Sequence, residues 1–383
     1  MSTLQTLLDR MVAEGDLPFA VAMTGNAAGT TWSGAAGEAA PGKAAGLDTV
    51  FRIFSMTKAI GSTAAMILID RGTLKMETPV AEVLPAWKDM QVLEGWEGEN
   101  PRLRAPKEEA TVRHLATHTS GLVYEFWNAD MPRYLEATEH PTILTGLKTG
   151  LHYPLMFDPG ARWDYGIGID WLGQVVEAVD GRRIDQFCQE EIFGPLGMTD
   201  TVFEPDAGRT ARLAQPKIRG EDGQFADHEI SPPPNPEVYG MGHCLYGTAP
   251  DYLRFLRMFL NRGSLDGNRV LSEGAVDRML ANQIGDLRVP RMETVVPALT
   301  ADCELFPGTE KTHSFGFLRT EADVPGMRSA GAQGWAGVLN THYWFDPARD
   351  VAAVLMTQSL PFVEPRYAKQ YEAFERATYA EAA

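Results

Sequence analysis

Ser55 and Lys58 stand three positions apart in the run Phe54-Ser55-Met56-Thr57-Lys58. On a helix that spacing puts both side chains on one face, with Cβ atoms about 5–6 Å apart, so the amine can reach the hydroxyl. A serine hydroxyl is a weak nucleophile until a neighbouring base takes its proton. A lysine serves as that base only where burial, nearby positive charge or a helix N-terminus keeps it partly neutral near pH 7. The chemistry would be base activation of a serine nucleophile. Spacing alone fits a solvated Ser and Lys just as well. The flanks argue otherwise: VFRIF precedes the pair and AIGSTAAMILI follows it, and polar side chains inside an apolar helix need a reason to be there.

Other pairings carry less. His114 and His118 have the i, i+4 spacing of a zinc helix, but the glutamate of H-E-x-x-H is missing, so no metal is expected. No G-x-S-x-G elbow occurs, which disfavours a Ser-His-Asp enzyme of the α/β-hydrolase type despite eight histidines. Cys188, Cys244 and Cys303 are odd in number and scattered, giving neither a disulfide framework nor a C-x-x-C site, so packed thiols are expected. Nothing in the chain calls for a cofactor.

The elements that must position Ser55 and Lys58 are read from periodicity. Leu4, Leu7, Leu8 and Met11 recur at helical spacing in residues 3–14, and residues 17–24 and 29–37 form a β-compatible pair. From residue 55 to 69, Ile60, Ala64, Ile67 and Leu68 share a face and Arg71-Gly72 supplies a stop, predicting a well-buried helix. Residues 79–205 change character, alternating short helical patterns with loops at 101–106 and 158–160, and read as a mostly helical insertion. Within it, Leu172, Val175, Val176 and Val179 predict a helix over 169–180 that begins just after Tyr165 and is capped by Gly181. The proline-rich stretch 231–236 must be extended. Residues 338–345 and 351–357 read as two strands joined at 346–350, and Tyr367, Tyr371 and Phe374 mark a closing helix from about Glu364. Sheet residues therefore lie at both ends of the chain. The expected organisation is an α/β domain from 1–78 and 206–383 around a smaller helical domain at 79–205.

Composition agrees with a folded globular protein: of 383 residues 44% are apolar and 22% charged, which excludes a disordered or fibrous chain. With 34 basic against 51 acidic residues the net charge is −17, a field that repels nucleic acid and anionic lipid. Charge near Met1 breaks the apolar stretch a signal peptide needs, and no run is long enough for a span, so a cytoplasmic protein is expected. Oligomeric state is not encoded in any of these features.

Four segments taken in order, 51–60 (FRIFSMTKAI), 111–122 (TVRHLATHTSGL), 157–165 (FDPGARWDY) and 192–198 (IFGPLGM), resemble the signatures of the serine β-lactamase-like, penicillin-recognising superfamily. The resemblance covers nearly the whole chain and is strongest to the family VIII carboxylesterases. It implies an α+β, β-lactamase/transpeptidase-like fold: an antiparallel sheet flanked by helices, a smaller mostly helical domain, and the site between them. It further implies Ser55 as nucleophile, with Lys58 and Tyr165 sharing the proton transfers. Tyr165-Gly166-Ile167 keeps the tyrosine of the family's Y-x-N motif but not the asparagine.

The counterpart of the late K-T-G triad is Trp335-Ala336-Gly337, a W-x-G form similar to that of the esterases. That segment implies a strand running past the serine, with the N–H groups of Val338 and Ser55 as oxyanion donors. Lys148-Thr149-Gly150 precedes Tyr165, contrary to the family's chain order, and reads as a decoy. Ile167 and Trp335 can neither hold an acylamino group nor attract a carboxylate, so neutral esters suit the site better than β-lactams, whose slow hydrolysis would remain a side activity. Tyr239, Trp127 and Trp335 are expected in an apolar acyl or alcohol pocket. The expected function is a serine carboxylesterase for small short-chain esters. The alternatives are an acyltransferase of the same fold, a β-lactamase or D-alanyl peptidase, and a non-catalytic penicillin-binding homologue.

Overall fold

The computed structural model describes residues 3–382; Met1, Ser2 and Ala383, which the sequence assigns to the larger unit, lie outside them. Helix α1 (Thr3–Ala13) leads into strands β1 (Phe19–Gly25), β2 (Thr30–Ala40) and β3 (Lys43–Ala44), and then into helix α2 (Thr57–Asp70). Next come a hairpin, β4 (Val92–Glu97) with β5 (Asn100–Arg104), helix α3 (Gly168–Asp180) and helix α4 (Ala249–Leu260). Strands β6 (Lys311–His313), β7 (Leu318–Thr320), β8 (Gln333–Gly337), β9 (Thr341–Asp346) and β10 (Val351–Met356) precede the closing helix α5 (Pro365–Glu381).

Among the described residues the main sheet has eight strands in the order β6-β7-β8-β9-β10-β1-β2-β3, every pair antiparallel. The N-terminal strands join the C-terminal ones through β1 and β10, where Val21 faces Met356 and Gly25 faces Ala352. Period-two alternation then sorts the side chains. Ala20, Ala22, Trp344, Ala353 and Leu355 pack with Leu4, Leu8 and Met11 of α1 and with Tyr367, Tyr371 and Phe374 of α5. Phe19, Val21, Tyr343, Phe345 and Val354 point the other way, into the large core that holds α2 and α4. This is the helix-flanked antiparallel sheet expected from the sequence.

Two local differences have clear causes. The helix over α2 is buried all round from Thr57 to Leu68 rather than on one face. It packs along α3 and against Met241, so closely that a Cβ at Gly61 would sit 2.8 Å from Met241 and 3.2 Å from Ile169 of α3. The stretch 101–106, read as a loop, contains β5, because Pro101 stands opposite Trp96 near the end of an isolated two-stranded ribbon, where a missing N–H costs little. No helix among the described residues is long and apolar enough to cross a membrane.

Candidate active site

Ser55 sits in a single 3-10 turn, Phe54–Met56, that feeds directly into α2. The turn is set by Phe54, whose φ of +39° is uncommon for a residue with a side chain. Such a backbone persists only where its surroundings over-determine it. Here the neighbouring Ile53 donates its N–H to the Leu245 carbonyl, and Tyr252 donates its hydroxyl to the Met56 carbonyl.

Lys58 follows one turn later, 1% exposed. Its Nζ lies 3.1 Å from Ser55 Oγ, 2.8 Å from the Tyr124 hydroxyl and 2.8 Å from the Gly242 carbonyl. It also stands 4.9 Å from the ring centres of both Tyr124 and Tyr165. Burial pulls its pKa down to about 7, and the charge of Asp170 only partly opposes that. A large fraction of Lys58 is therefore neutral at neutral pH, with a lone pair free for the serine proton.

Tyr165 closes the other side. Its hydroxyl accepts a hydrogen bond from Trp335 Nε1 at 3.0 Å and interacts with Ser55. Burial raises its pKa above the ordinary phenol value, with the contacts to Ser55 and Trp335 opposing. It is thus a neutral hydroxyl able to relay a proton rather than an anion able to take one. The ring is held by His118, 4.8 Å away between ring centres, and by Trp335 at 4.9 Å. His118 and His313 are both kept neutral by burial, the latter with its pKa lowered to about 4.

The strand expected to pass the serine is β8. Strand β7 pairs only with its first two residues, Gln333 and Gly334, so Trp335, Ala336 and Gly337 have β9 on one side and the site on the other. Gly337 is required by this approach: a Cβ there would come within 2.3 Å of the Ile53 carbonyl oxygen. Val338 follows immediately and borders two recesses that meet at Ser55. One is walled by Phe126, Trp127, Tyr165, Met292, Trp335, Ala336 and Phe362. The other is formed by Phe54, Ile143, Leu144, Ile230 and Leu299, with Tyr124, Glu125 and His243 supplying its polar atoms.

Ser55, Lys58, Tyr165, Trp335, Gly337, Val338 and Trp127 are therefore brought together. Tyr239 is not. Its hydroxyl is bound to Glu204, its ring packs on Phe203 with Arg183 over its face, and it borders a separate groove. Lys148-Thr149-Gly150 forms a 3-10 turn that contributes to neither recess. His114 closes a capping box at Thr111, whose N–H it accepts, which accounts for it as scaffolding.

The sequence reading missed Tyr124, Asp170, Glu125 and His243. Tyr124 lies two residues beyond the segment 111–122, and Asp170 is an acid inside an apolar helical run, a signal that was available.

Comparison with known proteins gives relatives across the whole chain. The Beta-lactamase family profile matches residues 4–377. Monacolin J acid methylbutanoyltransferase of Aspergillus terreus is 29% identical, over 88% of this chain and 83% of its own. Lovastatin esterase of Penicillium rubens is 29% identical, over 82% and 80%. A variant of simvastatin synthase from Aspergillus terreus superposes with a TM-score of 0.85 at 27% identity, covering 99% of this chain and 94% of that one.

Proposed function

Because the chain belongs to the β-lactamase family, whose members similar to it include an acyltransferase and an esterase, we propose that it is a serine carboxylesterase acting on small neutral esters of short acyl chains. The observation that carries this reading is the lining of the two recesses at Ser55: apolar and aromatic side chains dominate, and neither contains a lysine or arginine to hold a substrate carboxylate. A carboxylate brought there would lose its hydration with no lysine or arginine of the lining to replace it.

Neutral Lys58 takes the Ser55 Oγ proton as Oγ attacks the ester carbonyl. The N–H groups of Ser55 and Val338 stabilise the oxyanion. The intermediate collapses, the C–O bond to the alcohol breaks, and Tyr165 passes a proton from Lys58 to the departing oxygen. Water, deprotonated by the same pair, then releases the acid and restores Ser55. Tyr165→Phe removes the relay but leaves the ring packing, so kcat should fall about 100- to 1,000-fold with KM changed by less than about threefold. A similar fall in kcat/KM that lies wholly in KM would place Tyr165 in binding instead.

The test of substrate class is the ratio of kcat/KM for p-nitrophenyl butyrate to that for a chromogenic cephalosporin, expected to exceed about 100. Equal values would favour a β-lactamase or peptidase. A second reading, acyl transfer to an added alcohol, is favoured by the similarity to the methylbutanoyltransferase. Product analysis in the presence of a primary alcohol separates the two. Free butyric acid as the main product supports the esterase, and butyryl ester of the added alcohol as the main product supports the transferase.

A further inference from the structure

Asp170, on the first turn of α3, is fully buried behind Lys58. Its Oδ1 accepts the Gly242 N–H at 2.9 Å, and the Gly242 carbonyl accepts from Lys58 Nζ. The backbone is wrapped tightly around this carboxylate. A Cβ at Gly240 would lie 2.5 Å from Oδ1 and one at Gly242 would lie 2.3 Å from Oδ2. Only glycines fit this wrap. Yet among the described residues Oδ2 has no hydrogen-bond partner, and His243 Nδ1 stands 3.2 Å from Oδ1 without hydrogen-bond geometry. A half-satisfied buried carboxylate is destabilising, so stability does not account for it.

We propose that Asp170 is a positioning residue for the proton transfers: through the Gly242 N–H its carboxylate fixes the Gly242 carbonyl against Lys58, and its charge favours the ammonium form of the lysine. This rests on the reading of Lys58 as the base for Ser55. Asp170 is one of several titratable groups around the lysine. Its charge acts on Lys58 from α3, and also on Tyr124, Glu125, Tyr153, Tyr165 and Cys244. His243 flanks it, and His118, packed on Tyr165, lies within electrostatic reach of Lys58.

An opposite charge favours the ammonium form, so its removal must make Lys58 easier to deprotonate. Asp170→Asn keeps the acceptor for Gly242 and removes the charge. The acid limb of kcat/KM for p-nitrophenyl butyrate should move about one unit to lower pH, with a melting temperature no lower than that of the wild type. A folded variant whose limb stays at the wild-type pH overturns the proposal. Should Asp170→Asn not fold, Asp170→Ser decides. It too withdraws the charge and keeps an oxygen acceptor, so the limb should move to lower pH in the same sense, and an unmoved limb overturns the proposal. Only activity that Ser55→Ala abolishes is counted; if Ser55→Ala keeps it, the assignment of the nucleophile fails rather than the role of Asp170.

Discussion

Ser55→Ala should lower kcat/KM for p-nitrophenyl butyrate at least about 10⁴-fold, with the fold intact. Loss of a nucleophile removes the covalent route entirely, leaving only what binding and the oxyanion donors contribute over water. The substitution is structurally mild. Ser55 is half-buried in a one-turn 3-10 segment, and the partners its Oγ would leave keep others: Lys58 has Tyr124 and the Gly242 carbonyl, and the Tyr165 hydroxyl has Trp335 Nε1. Steady-state rates of the two proteins at equal concentration, with matched circular dichroism, read the effect. A variant retaining more than about 1% of the wild-type rate would remove Ser55 from the chemistry.

Lys58→Met is the second large effect, about 10³- to 10⁴-fold on kcat, and it comes with an opposite effect on stability. Lys58 has a folded pKa of about 7 against 10.5 for the free side chain. Between those values the unfolded chain binds the proton and the folded one does not, so the contribution of Lys58 to stability, read as wild type minus variant, should rise with pH from about 7 and level off near 10.5, at up to about 1.4 kcal/mol per pH unit. Below about 7 the full cost remains, because both states are then protonated and the folded one holds a buried cation. Methionine has no proton to bind. Denaturant unfolding of the variant should therefore lack this slope, while the wild type keeps it and gains ester-hydrolysis rate through the same midpoint near pH 7. A variant with the wild-type slope, or a wild-type rate that does not rise through that region, would place the neutral lysine elsewhere.

The nucleophile and its neighbour were legible because the spacing of Ser55 and Lys58 sits in an apolar run, and the four ordered segments carry the family resemblance. The sheet was legible from its ends, where residues 17–24 are β-compatible and 351–357 form a β-rich run. Register and pairing across more than 300 residues were not, since nothing local to residues 19–25 specifies 351–356 as their partner. The polar set around Lys58 was hidden for the same reason: Tyr124, Asp170 and Gly242 come from three distant segments and meet only through the fold. Tyr239 was placed in the pocket on its aromatic side chain alone, while its position depends on Glu204 and Arg183. The open side of β8 had no sequence signal either, because it arises from the shortness of β7.

The central claim is an acyl group carried on Ser55, and it is tested most directly by mass. The protein is mixed with p-nitrophenyl butyrate, quenched in acid within the first turnovers, digested and measured. A single butyryl group on the peptide containing Ser55, absent from Ser55→Ala treated in the same way, is the expected result. Equal ester turnover with no adduct at Ser55, or an adduct that persists in Ser55→Ala, would contradict it.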